Sequence, residues 1–196
     1  MNGESGNMDN QRNLLESAAD LQNLLRQAGI DSMVVGGLAV AAWGEPRATK
    51  DADLKVLLQR EQAKQLLSVL TPVYELIADE PEKMLRQLGF VFARHPSGVR
   101  IDLLLAETGF DLQAMKRWRE IDPLPGISLT VCSPEDLIIY KMISTRARDQ
   151  EDARGVIRLQ AGNLDHDYVE DWLRQFELAL DDSTLVQSYI DMRKAD

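Results

Sequence analysis

The segment DADLKVLL, Asp51–Leu58, sets two carboxylates two residues apart at the head of an apolar run. Its opening alternation reads as a β-strand, and on a strand residues i and i+2 point to the same face. Asp51 and Asp53 therefore share a face and repel. Either one carboxyl group surrenders its charge, the strand bends away, or a cation neutralises the pair. A hard cation such as Mg²⁺ resolves the conflict, because it takes oxygen ligands and leaves positions for phosphate. A D-x-D pattern alone is more often a solvated strand face, so its neighbours in the chain decide what it means.

Upstream, SMVVGG reads as a short strand ending at Gly36 and Gly37, and LAVAAWG as one or two helical turns. Glycine permits close backbone approach, and a helix N-terminus offers unpaired N–H groups to an anion. A basic stretch with Arg47 and Lys50 then leads into Asp51. Downstream, Asp102 stands in VRIDLLLA among Val, Ile and Leu. An unpaired charge in a buried strand is unfavourable, so Asp102 should face a cleft, a metal or a partner such as Arg100. If its strand lies beside Asp51–Asp53, three carboxylates converge. Such a set can hold two metal ions for an in-line phosphoryl displacement.

The rest of the chain bounds the fold. Its 196 residues suit one domain with a small helical extension. Apolar residues at 44% and charged residues at 28% permit a packed core. The net charge of −10 argues against a broad basic face for nucleic acid. One cysteine, Cys132, excludes an internal disulfide, and with two distant histidines, His95 and His166, a Cys- or His-built metal site is not expected. The N-terminal stretch has no apolar signal core and no run is long enough to span a bilayer, so a cytoplasmic location and no membrane partner are expected.

Periodicity predicts a helix over NLLESAADLQNLLRQAGI, helices in REQAKQLLSVL and PEKMLRQLG, and a hairpin of GFVFARH and VRIDLLLA across the turn PSG. FDLQAMKRWRE is expected to be helical and ISLTVC a strand. Four helices then follow, the first with Ser133 as cap, Pro134 at the first helical position, and Glu135 and Asp136 in its first turn. The expected class is α+β: a mixed β-sheet core with flanking helices and a helical C-terminal part. Residues 1–12 are expected to be disordered, 13–132 to form the core, and 133–196 to form a helical region packed on it. Within the last region, Arg148 and Asp152 have i,i+4 spacing, and the charges from Lys141 to Asp152 can be read as a solvent-facing ion-pair surface. Trp43, Trp118 and Trp172 are read as packing anchors, and Cys132 as a buried structural thiol.

Taken in order, these pieces resemble the nucleotidyltransferases of the DNA polymerase β superfamily, and within it the minimal AbiEii-type toxin nucleotidyltransferases. The family pattern is a Gly-Gly or Gly-Ser at a strand end, an R-x-T-x-D-x-D segment, a later strand Asp, and a helical K-x-x-x-x-R-x-x-D-x-x-D segment. Gly36 and Gly37, then Arg47, Thr49, Asp51 and Asp53 in RATKDAD, Asp102 in RIDLLL, and Lys141, Arg146, Asp149 and Asp152 match it. The chain has Gly37 where many members carry a phosphate-touching Ser.

The resemblance implies an NTP-dependent, two-metal enzyme. Asp51, Asp53 and Asp102 would be catalytic and ligate Mg²⁺ (or Mn²⁺). Gly36, Gly37, Arg47, Thr49, Lys141 and Asp149 would bind the nucleotide. An NMP would pass from an NTP to an acceptor hydroxyl of RNA (tRNA in particular), protein or a small molecule such as an antibiotic, releasing pyrophosphate. Toxin-type relatives in bacteria add a cognate antitoxin as partner. The competing expectation is a non-catalytic module of this fold that only binds a partner.

Overall fold

A computed structural model describes residues 3–194. Among the described residues the chain forms two compact units, one of residues up to Leu38 with Ala48–Val131, the other of Ala39–Arg47 with Cys132 onward. In chain order the elements are α1 (Gly3–Gln27), β1 (Ser32–Val35), α2 (Gly36–Trp43), β2 (Asp51–Val56), α3 (Ala63–Leu70), β3 (Glu75–Leu76) and α4 (Pro81–Leu88). Then follow β4 (Phe90–Arg94), β5 (Arg100–Leu105), α5 (Gly109–Ala114), β6 (Arg119–Leu124), β7 (Ile127–Val131), α6 (Pro134–Met142), α7 (Ala147–Leu159), α8 (His166–Leu180) and α9 (Leu185–Lys194).

The first unit is built on a seven-stranded mixed sheet in the order β3-β4-β5-β2-β1-β7-β6. Strands β2 and β5 are parallel neighbours; β1 and β4 flank them antiparallel. Period-2 alternation sorts their side chains. Ala52, Leu54 and Val56 of β2 and Ile101, Leu103 and Leu105 of β5 are buried, while Asp51, Asp53, Asp102 and Leu104 on the opposite face are half-buried. Helix α1 packs against β7, β1 and β2, and buries Leu14, Ala18, Leu21 and Leu25. Full burial of each leucine contributes roughly 1.5–3 kcal/mol. Gln22 ties this helix to the sheet, donating to the carbonyl of Thr130 (2.9 Å) and accepting from its N–H (2.9 Å).

The second unit is helical. Ser133 caps α6 by accepting from the Asp136 N–H, with Pro134 in the first turn, as the sequence predicts. Asp136 is fully buried yet satisfied, since the Ser133 and Tyr168 hydroxyls donate to its two oxygens, each at 2.7 Å. The Trp43 indole donates to the Cys132 carbonyl at 2.8 Å, and Gln160 donates to the Trp43 carbonyl at 2.9 Å. The thiol of Cys132 is buried, which pushes its pKa well up, so it packs as a small apolar group.

Helix α1 begins at Gly3, within the stretch expected to be disordered over 1–12, of which residues 1–2 lie outside the described residues. One expectation is corrected. The helix expected over FDLQAMKRWRE stops at Ala114, and Arg119–Leu124 is strand β6. As an edge strand exposed for most of its length, β6 shows no alternation; Pro123, tolerable only at an edge, further masks it. The two-residue strand β3 is too short to leave a pattern.

Candidate active site

Register brings the carboxylates of the first unit together. In the parallel pairing of β2 with β5, Asp53 stands opposite Asp102 and Asp51 opposite Arg100. Paired residues in register project to the same face, so all three aspartates share one patch of sheet. The neighbouring cation on that face, Lys55, is engaged by Asp111 at 2.7 Å.

The two glycines are required by what lies above them. Gly36 has φ of +62°, and a Cβ built there would stand 2.0 Å from Asp53 Oδ2. A Cβ at Gly37 would stand 2.6 Å from Thr49 Oγ1. Thus the start of α2 lies directly against Asp53 and Thr49, and any side chain would displace them. Thr49 in turn donates towards Asp51, to its carbonyl at 3.3 Å and its Oδ1 at 3.2 Å. The hydroxyl that a serine at position 37 would bring is absent, and the Thr49 hydroxyl occupies the adjoining space.

Arg100 completes the patch. Its Nε donates to Asp102 Oδ1 at 2.7 Å and its Nη2 to Oδ2 at 3.0 Å. Its guanidinium lies 4.3 Å from the centroid of the Phe92 ring. The pKa of Arg100 is raised by the hydrogen bond to Asp102 and by the charges of Asp102, Asp51 and Asp53. Among the described residues, no three Asp, Glu, His or Cys side chains are gathered as a ready metal-holding group. The donor chemistry still suits a hard cation: three carboxylates stand on one face. Both Asp102 oxygens accept from Arg100.

Arg47, Lys141 and Asp149 come together in the second unit. Lys141 Nζ reaches Asp149 Oδ1 at 2.6 Å and Asp152 Oδ2 at 2.8 Å. Arg47 grips Asp152 through Nε at 2.8 Å and Nη2 at 2.9 Å. Arg146 Nε and the Ser144 hydroxyl donate to Asp149 Oδ2. Lys141, Asp149 and Asp152 are buried, at 6%, 2% and 7% exposure. The solvent-facing ion-pair surface read from the sequence is therefore an internal network. Burial pushes the Asp149 and Asp152 carboxyls up, but hydrogen bonds from Lys141, Ser144 and Arg146 to Asp149, and from Arg47 and Lys141 to Asp152, outweigh it and hold both low. Sequence reasoning missed Phe92 as the support under Arg100; the half-buried Phe90 and Phe92, alternating with buried Val91, were its signal.

No family model matches the chain, and no curated protein is similar to it in sequence. Solved structures are similar to it in fold. An antigenic nucleotidyltransferase-like protein from Paracoccidioides brasiliensis matches with TM-score 0.51 and 18% identity, over 89% of this chain and 92% of its own. The antibiotic-resistance factor ANT(2'')-Ia in solution matches with TM-score 0.59 and 14% identity, over 85% of this chain and 94% of its own. The fold is that of a nucleotidyltransferase. The complex of ANT(2'')-Ia with adenylyl-2''-tobramycin agrees, with TM-score 0.57 and 14% identity over 87% and 98% of the two chains. At such identities the likeness is one of fold. No helix among the described residues is long and apolar enough to cross a membrane.

Proposed function

We propose that the protein is a Mg²⁺-dependent nucleotidyltransferase that moves an NMP from an NTP to an acceptor hydroxyl. The observation that carries this reading is the register of Asp53 with Asp102, with Asp51 on the same face and Gly36 packed directly against Asp53. Mg²⁺ (or Mn²⁺) held by Asp51, Asp53 and Asp102 would neutralise triphosphate charge and acidify the acceptor hydroxyl.

The protein's own groups supply the rest. Gly36 and Gly37, at the start of the eight-residue helix α2, offer backbone N–H groups to the β- and γ-phosphates. Thr49 fixes Asp51, and the absent Cβ of Gly36 leaves Asp53 its place. The acceptor oxygen forms a bond to the α-phosphorus as the bond to the β-phosphate oxygen breaks. Pyrophosphate leaves with that bond's electron pair, and Asp102 takes the acceptor proton. The nucleotide-binding role that the resemblance gives Arg47, Lys141 and Asp149 competes with their internal ion pairs. Lys141 has Asp149 and Asp152 on two of its three N–H donors.

For the acceptor, the net charge of −10 favours a small, cationic, hydroxylated molecule over a long nucleic-acid footprint, whose binding depends on phosphate neutralisation. RNA, protein and a toxin-type role with an antitoxin partner stay within the same chemistry. The test supplies each labelled NTP with Mg²⁺ and a cell extract to wild type and to Asp51→Asn/Asp53→Asn. Label should pass to one class of acceptor with wild type alone. Equal transfer by both proteins, or none by either, overturns the catalytic reading and leaves the non-catalytic module.

A further inference from the structure

A second concavity lies in the first unit, at the end of β1 away from Gly36. It holds about 200 Å³ and is lined by residues of α1, the lead into β1, β7 and the segment entering β6. Register sets Ser32 of its lining opposite Val56, and Val35 opposite Asp53. Val56 and Asp53 are three residues apart on β2, so Ser32 and Asp53 project to opposite faces of the sheet. The cavity is therefore separate from the carboxylate patch.

Beneath it, the Gln22 amide donates to the carbonyls of Thr130 (2.9 Å) and Ser32 (3.3 Å) and accepts from the Thr130 N–H (2.9 Å). Ile30 and Met115 supply buried apolar wall. Trp118 also lines the cavity but is 45% exposed, and its indole N–H has no acceptor among the described residues. The charges of the lining are Arg26, Asp31 and Glu120. Arg26 donates to Asn23 Oδ1 at 3.0 Å and Glu120 accepts from the Ser128 hydroxyl at 3.1 Å. Among the described residues none of the three is in an ion pair, and the Asp31 carboxylate has no donor. Opposite charges thus line one small cavity without closing on each other. A purely cationic ligand would leave Arg26 facing it, and a purely anionic one would face Asp31 and Glu120. A ligand carrying both charges meets each with its opposite.

We propose that this cavity binds a free α-amino acid with an apolar side chain. The ligand carboxylate accepts from Arg26 and the Trp118 indole N–H, and the ligand ammonium donates to Asp31. The ligand side chain lies on Ile30, Met115 and the indole ring. The site is independent of the nucleotidyl-transfer reading.

The test is calorimetric titration of the full chain with alanine, valine, leucine, methionine and phenylalanine. The rim charges are exposed, so their pairs are screened and the titration runs to millimolar ligand. At least one amino acid should bind wild type, and bind Arg26→Gln and Asp31→Asn about fivefold more weakly. Analogues of the tightest binder lacking the amino or the carboxyl group (isocaproate and isoamylamine for leucine) should also bind about fivefold more weakly. Arg26→Gln should not weaken the amine further, nor Asp31→Asn the acid. Ligand should shift tryptophan emission in wild type and not in Trp118→Phe, since Trp43 and Trp172 lie in the other unit. Four results each overturn the inference: no binding of any of these amino acids, equal affinity in wild type and both charge variants, single-charge analogues as tight as the amino acid, or an emission shift that persists in Trp118→Phe.

Discussion

The two acidic clusters of this molecule are built from the same residue types and have opposite logic. In the helical unit, Asp149 and Asp152 are buried, and Lys141, Arg47 and Arg146 supply their counter-charge at hydrogen-bonding distance. On the sheet, Asp51, Asp53 and Asp102 are half-buried and share Arg100 as their nearby strand cation, with Lys55 held by Asp111. The first cluster is compensated from within and does structural work. The second gathers three half-buried carboxylates on a face packed against two glycines and a threonine. Charge balance and burial, more than the presence of aspartates, separate a fold-stabilising network from a candidate site.

The largest effect should come from unbalancing the internal network. Lys141→Met leaves two buried carboxylates short of a cation and should lower stability by about 3–5 kcal/mol, read by denaturant unfolding. A loss under about 1 kcal/mol would mean that the cluster is solvated and the contrast false. Next, Gly36→Ala places a Cβ against Asp53 in a left-handed backbone. It should reduce nucleotidyl transfer by about 10²-fold through displacement of Asp53, while circular dichroism shows the native fold. On the sheet, Asp51→Asn should leave stability within about 0.5 kcal/mol of wild type or slightly higher, because it relieves repulsion. Denaturant unfolding beside an activity assay checks that stability and function part company there.

The smallest effect is in pH. Asp149 and Asp152 have folded-state values below the ordinary carboxyl value. A depressed value contributes stability that is present above the unfolded pKa and lost as pH falls through the folded one. Stability should therefore decline as pH drops below about 4, with a shallower decline in Asp149→Asn. Equal slopes in thermal unfolding would remove these carboxyls from the account.

The sheet and its site were legible in the sequence where a physical rule leaves a periodic trace. Alternation in DADLKVLL and VRIDLLLA, the glycine pair and the isolated Asp102 were enough to set three carboxylates on one face. Edge strand β6 was not legible, since a mostly exposed strand has no buried period to show. Nor was the burial of Lys141, Asp149 and Asp152: their spacing is the same on a solvated helix face. Among their partners, Arg47 lies 105 positions away from Asp152 in sequence, and such a pairing leaves no local signal. Arg100 was visible as a partner for Asp102, but its position over Phe92 depends on the register of β4 with β5.

The central claim is that the sheet face of Asp51, Asp53 and Asp102 binds a metal and a nucleotide. Its most direct test is the unfolding temperature of wild type and of Asp51→Asn/Asp53→Asn with each NTP, with and without Mg²⁺. At ligand about 100-fold above its dissociation constant, stabilisation approaches about 2.7 kcal/mol. The expected result is a rise in wild type that needs both Mg²⁺ and an NTP and is absent from the double variant. The same rise in both proteins, or none in either, would contradict it.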